Sequence, residues 1–136
     1  MKFEKLFRRY NEDNGFNHHC GFICVHVEEG FAEVDLPIRP ECLNPRQTVH
    51  GGLLYALVDT AAGVAANSHG VSCVTLSGNF NYLLPGTGTK LRAVAREVRR
   101  GRTTGVYDVE IFDDAQKLVA KGSYTMYFTG EKIDVD

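Results

Sequence analysis

The stretch HGGLLYALVDTAAGVAANS, residues 50–68, constrains the fold more than any other part of the chain. Between Leu53 and Ala66 nearly every side chain is apolar or small, which predicts a long helix. A helix that is apolar almost all round cannot rest on a surface with one face in water, so something must enclose it. Leu53, Leu54, Leu57, Val58, Ala61 and Val64 supply its bulky packing surface. The flanking sequence supplies the cover. GFICVHVEEGFAEVDLPI alternates apolar and polar residues on both sides of Glu29-Gly30, as a β-hairpin does. After His69-Gly70 come VSCVTLSGNFNYLLP, TKLRAVAREVRR, TTGVYDVEIFDD and KLVAKGSYTMYF, separated by the turn-like PGTG, RGR and DDAQ. Strands joined by short turns pair antiparallel. The expected class is therefore α+β: one long central helix wrapped by a curved antiparallel sheet of five to six strands, with residues 1–136 forming a single domain. Phe3, Leu6, Phe7 and Tyr10, at helical spacing, predict a short amphipathic helix before the hairpin. A polar, proline-marked loop, RPECLNPRQTV, leads into the central helix.

Fifteen basic residues against 17 acidic ones leave no excess positive charge to attract nucleic acid or anionic lipid. No uninterrupted apolar run reaches the roughly 18 residues of a membrane span, and the first residues lack the apolar region of a signal peptide. A cytoplasmic protein is expected, with Cys20, Cys24, Cys42 and Cys73 as reduced thiols. His18, His19, Cys20, Cys24 and His26 crowd into nine residues. At a strand's period of two, Cys20, Cys24 and His26 share a face. One extended strand cannot wrap a tetrahedral ion, however, and no second ligand cluster follows, so no metal site is expected.

Asp59 is the anomaly of the apolar stretch. An unpaired buried carboxylate costs several kcal/mol, so it must find a partner, be protonated, or sit at the edge of a cleft. On a helix its neighbours are Gly52, Tyr55, Ala56, Ala62, Gly63 and Ala66, a lane of mostly small residues open to a ligand chain or a second helix. A structural ion pair with Arg92 or Arg96 is the plain alternative. At the helix start, His50-Gly51-Gly52 offers two residues without side chains whose backbone N–H groups are among the free donors of the first turn. Such a terminus accommodates an anion or a developing oxyanion, although Gly-Gly also serves simply as a sharp turn. Gly51 and Asp59 are eight residues, or about 12 Å of helix rise, apart. A base must come within about 3 Å of the atom it acts on, so two groups of one helix cannot serve one carbonyl. If both are catalytic, antiparallel helices of a two-fold dimer must each offer an N-terminus to the other's carboxylate.

The hairpin EEGFAEVDLPI, the spacing from Asn44 through His50-Gly51-Gly52 to Asp59, the helix end AANSHG, the strand end LLPG and the segment RGRTTGVYDVEI together resemble the hotdog-fold acyl-CoA thioesterases of the phenylacetic-acid-degradation type. The resemblance implies a hotdog fold, a homodimer or homotetramer with sites at the subunit interface, an acyl-CoA substrate and no cofactor. It places Asp59 as general base or nucleophile, Gly51 as the N–H that polarises the thioester carbonyl, with His50 beside it, and Asn44 as the side chain that places water or carbonyl. Gly52 and Thr75 fall in the substrate-binding region, Thr75 where some relatives carry a helpful hydroxyl. Arg100 and Arg102, with Arg99, are candidates for the phosphates of coenzyme A, or else form a solvated basic turn. The loop PRQTV departs from the pattern by lacking a glycine that many relatives have. Two other functions fit the same scaffold: a hydratase or dehydratase acting on an acyl thioester, and a non-catalytic acyl-CoA-binding sensor.

Overall fold

A computed structural model describes residues 2–136. The first helix, α1 (Glu4–Asn11), presses Leu6 into the core, with Phe7 and Tyr10 packed at its margin. A second short helix, α2 (Gly15–Cys20), is one the sequence pattern does not announce. Its caps do: the Asn17 N–H donates to the Asn14 side chain at 3.1 Å, and Gly21 closes the other end at φ +82°. This helix overturns the strand periodicity read across Cys20, Cys24 and His26. His18, His19 and Cys20 belong to α2, whereas Cys24 is buried on a strand and His26 is exposed beside Glu28. No group of three or more His, Cys, Asp or Glu residues suited to a metal occurs among the described residues.

The hairpin follows as expected, β1 (Ile23–Glu28) and β2 (Phe31–Pro37), turning at Gly30 with φ +72°. A 3₁₀ turn (Pro40–Cys42) leads to the long helix α3 (Gly51–Asn67) and then to β3 (Val71–Tyr82), β4 (Lys90–Arg100), β5 (Thr104–Asp113) and β6 (Leu118–Lys132). The six strands form one antiparallel sheet in the order β1-β2-β4-β5-β6-β3. Helix α3 packs against every strand, which is the wrapped-helix architecture expected.

Parity along β4 shows how the sheet accepts the helix. Leu91, Ala93 and Ala95 are fully buried and point to α3, while Arg92 and Arg96 take the opposite face. There Arg92 makes a two-pronged contact with Asp35, at 2.6 and 3.0 Å, and Arg96 lies over the Phe31 ring. The helix answers with Leu57, Val58, Ala61, Val64 and Ala65, all at zero exposure. Each of the leucine and valine side chains contributes about 1.5–3 kcal/mol by leaving water. The end of α3 is clamped by polar contacts. Ser68 donates to the Ala65 carbonyl and accepts from the Gly30 N–H, so the AANSHG turn is tied to the hairpin. His69 meets Glu97 at 2.7 Å, and the Tyr107 hydroxyl donates to the same carboxylate.

Strand β3 ends the sheet, and one of its edges is unpaired. Val74, Leu76 and Tyr82 on it are at least half exposed, as is Leu83 just beyond it. A long apolar edge of this kind is a template for pairing with another chain. Among the described residues, no helix is long and apolar enough to cross a membrane.

Candidate active site

The loop before α3 is organised by Asn44. Its Oδ1 accepts the Arg46 and Thr48 N–H groups, and its Nδ2 donates to the Thr48 hydroxyl at 2.9 Å. This is an Asx-type turn in which a side chain replaces the missing backbone partners. Gln47 within it has φ +66°, the left-handed region that glycine adopts freely and a side chain makes costly. Gln47→Gly is expected to raise stability by about 0.5–1 kcal/mol in chemical denaturation. A decrease would mean that the Gln47 side chain, not its backbone, matters.

His50 then caps the helix. Its Nδ1 accepts the Gly52 N–H at 2.8 Å, which assigns the ring proton to Nε2. The adjacent Gly51 N–H has no acceptor among the described residues. A side chain at either glycine would press on a ring that has to give by a few tenths of an ångström. A Cβ on Gly51 would lie 3.3 Å from the Tyr82 ring, and one on Gly52 3.1 Å from the His50 ring. The Tyr82 hydroxyl donates to the Gly51 carbonyl at 2.8 Å and holds the helix start against β3. Asn44, Thr48, Gly51 and Tyr82 line one cleft of about 340 Å³.

Asp59 lies two turns further on, half-buried, in a different groove of about 500 Å³. Its partner is neither Arg92 nor Arg96, which the sheet carries on its far side. The Thr75 hydroxyl of β3 donates to Asp59 Oδ1 at 2.6 Å. That bond fixes the carboxylate and leaves Oδ2 without a partner among the described residues. Gly52, Tyr55, Ala56 and Gly63 line the same groove, as the helical lane implied, whereas Ala62 and Ala66 are fully buried. Cys73 also faces the groove, but burial, and after it the Asp59 charge, pushes its thiol up to about 11. It stays protonated at neutral pH and is a poor nucleophile. Arg100 and Arg102 line a third cavity, of about 590 Å³, beyond the far end of α3 with His69 and Thr129. The single chain thus gathers Asn44 with Gly51, and Asp59 with Gly52 and Thr75, but does not join the two groups.

One long helix wrapped by a six-stranded antiparallel sheet is the hotdog fold, and similarity to known proteins makes the chain a thioester hydrolase of that fold. The chain belongs to the thioesterase superfamily, whose family profile matches residues 46–120. It is similar to the acyl-coenzyme A thioesterase PaaI of Escherichia coli, with 41% identity over 101 residues, 74% of this chain and 72% of the relative. The solved structure of E. coli PaaI, from the phenylacetic acid degradation operon, superposes with a TM-score of 0.86 at 35% identity, covering 90% of each chain. A Streptococcus mutans protein solved with bound acetyl CoA superposes with a TM-score of 0.78 at 35% identity, over 82% of this chain and 90% of that one.

Proposed function

We propose that this chain hydrolyses an acyl-CoA to the free acid and coenzyme A, in a homodimer or homotetramer whose active sites lie between protomers. The observation that carries this reading is the division of the candidate groups: Gly51 and Asn44 open into one cleft, Asp59 and Thr75 into another. The open β3 edge, with Val74 and Leu76 exposed along it, offers the surface through which a second copy supplies the missing half. The acetyl CoA held by the Streptococcus mutans relative, and the coenzyme A solved with a Streptococcus pneumoniae thioesterase 32% identical to this chain, support the substrate class.

In this mechanism the thioester carbonyl oxygen accepts the free Gly51 N–H of one protomer, at a helix N-terminus that favours negative charge. Asp59 of the other protomer removes a proton from water as it attacks, or attacks the carbonyl itself, with Thr75 holding the carboxylate in line. The tetrahedral oxyanion collapses and expels the coenzyme A thiolate, which takes up a proton; where Asp59 itself attacked, water then cleaves the acyl-aspartyl anhydride, releasing the acid and restoring the carboxylate. His50 fixes the helix start, Gly52 leaves room for the substrate, and Asn44 shapes the loop while keeping one Nδ2 proton for water or carbonyl. Arg100 and Arg102, in the cavity beyond the far end of α3, serve as phosphate ligands for the coenzyme in this reading. The reaction as written needs neither metal nor organic cofactor. The four unpaired cysteines support a cytoplasmic setting, and the one continuous core supports a single domain over residues 1–136.

The test is thiol release from a panel running from phenylacetyl- and hydroxybenzoyl-CoA to decanoyl- and palmitoyl-CoA. Turnover of at least one member with a kcat near 1 s⁻¹ or above is expected, in the ordinary range for enzymes. Tight binding with no thiol released would instead make the protein a sensor. Loss of an enoyl thioester without thiol release would make it a hydratase.

A further inference from the structure

The groove that holds Asp59 is lined along α3 on both sides of it, and a Cβ on Gly63 would lie 3.5 Å from the Tyr10 hydroxyl. On α3 it is lined by Gly52, Tyr55, Ala56, Asp59, Thr60 and Gly63, one face of the helix. Towards Gly52 it runs to the start of the helix, and towards Gly63 it meets the N-terminal helices. That end, the arm towards Gly63, is walled by Tyr10, Asn14, Phe16 and Asn17, none of which lies in the segment matched by the family profile.

Most of this wall is fixed. Asn67 donates to the Tyr10 hydroxyl at 2.6 Å, and buried Asn17 donates to the Tyr10 carbonyl at 3.3 Å. Asn11 holds both backbone groups of Cys24, at 2.8 and 2.9 Å, which anchors α1 to β1. Phe16 differs. It is 59% exposed and touches another ring only at Phe22, edge-on at 6.3 Å. Val74 and Met126 add apolar lining to the same groove.

A thioester whose carbonyl sits at Asp59 sends its two substituents in opposite directions. Coenzyme A is large, charged and hydrated, and needs an open route. The acyl group is the part that gains by entering an apolar arm with a fixed end. We infer that the acyl group lies between Gly63 and the N-terminal helices, with Tyr10 as its end wall and Phe16 as the side wall that sets how much bulk is accepted. The inference rests on the thioesterase reading and deepens it. From Asp59 to Gly63 is about 6 Å of helix rise, so the arm takes a compact acyl group, a single aromatic ring or a short chain, rather than a long fatty one.

Two substitutions test this without threatening the fold. A Cβ on Gly63 would lie 3.5 Å from the Tyr10 hydroxyl, an ordinary contact, and alanine favours the helix. Phe16 is exposed, so its loss leaves no buried cavity. The readout is kcat/KM across butyryl-, phenylacetyl- and decanoyl-CoA, expressed as the ratio of decanoyl to butyryl. Gly63→Ala is expected to lower that ratio about tenfold, with an unfolding temperature equal to or above that of the unmodified protein. Phe16→Ala is expected to raise it. A ratio unmoved in both variants, or all substrates changed by one common factor, overturns the inference. An Asp59→Asn control separates the two levels. If the unmodified protein hydrolyses the series, Asp59→Asn abolishes hydrolysis and the ratio does not move, the acyl arm is wrong and the thioesterase reading stands. If the unmodified protein hydrolyses nothing, both fall.

Discussion

Asp59→Asn is expected to lower kcat for acyl-CoA hydrolysis about 10³-fold, within the range a positioned base or nucleophile contributes. The substitution is nearly isosteric, and the asparagine carbonyl still accepts the Thr75 hydroxyl that the carboxylate accepts at 2.6 Å. Unfolding temperature and oligomeric state should therefore hold, which separates lost chemistry from lost structure. Turnover within about threefold of the unmodified protein would remove the acid from the mechanism altogether.

Gly51→Pro probes the other half of the reaction. Proline at the first helical position costs little, because the N–H it removes has no helical partner. His50 already has φ −56° and ψ 132°, the extended conformation that precedes a proline comfortably. The variant thus deletes one N–H, and its main steric test is the Tyr82 ring, 3.3 Å from where a Cβ falls. A loss of about 10²–10³-fold in kcat is expected, the usual effect of removing one oxyanion donor. Mixing the two inactive variants makes the shared site visible. In a dimer pairing Asp59→Asn with Gly51→Pro, one site carries both lesions and the other carries none. Random association of equal amounts should therefore restore about one quarter of the unmodified activity. Subunits that exchange yet stay inactive would show that each protomer works alone.

The long helix and the strands were legible because periodicity is a local signal. HGGLLYALVDTAAGVAANS reads as a buried helix, and α3 spans residues 51–67. The short helix α2 escaped because six residues, GFNHHC, are too few to display a period. Only its flanking Asn14 and Gly21 betray it. Strand order escaped for a different reason. Alternation tells which face of a strand is buried but not which strand lies beside it, so β2 beside β4 and β3 beside β6 had to come from the structure. The same alternation held the answer to the partner of Asp59. In KLRAVAREV the small apolar residues Leu91, Ala93 and Ala95 face the helix, which sends Arg92 and Arg96 to the other side and out of reach. The Thr75 hydroxyl carries no such sign in the sequence, because its meeting with Asp59 depends on where β3 crosses α3.

The pairing of β3 with β6 also sets a timetable for synthesis. Val71 to Tyr82 find their partners only in Ala120 to Lys132, near the end of the chain. Until β6 has been made, β3 has no neighbour on either side, and Val74 and Leu76 stand open beside a finished α3. Shortening the chain before Leu118 would make that passing state permanent, so the nascent protein is most prone to clump in the interval between the making of β3 and that of β6.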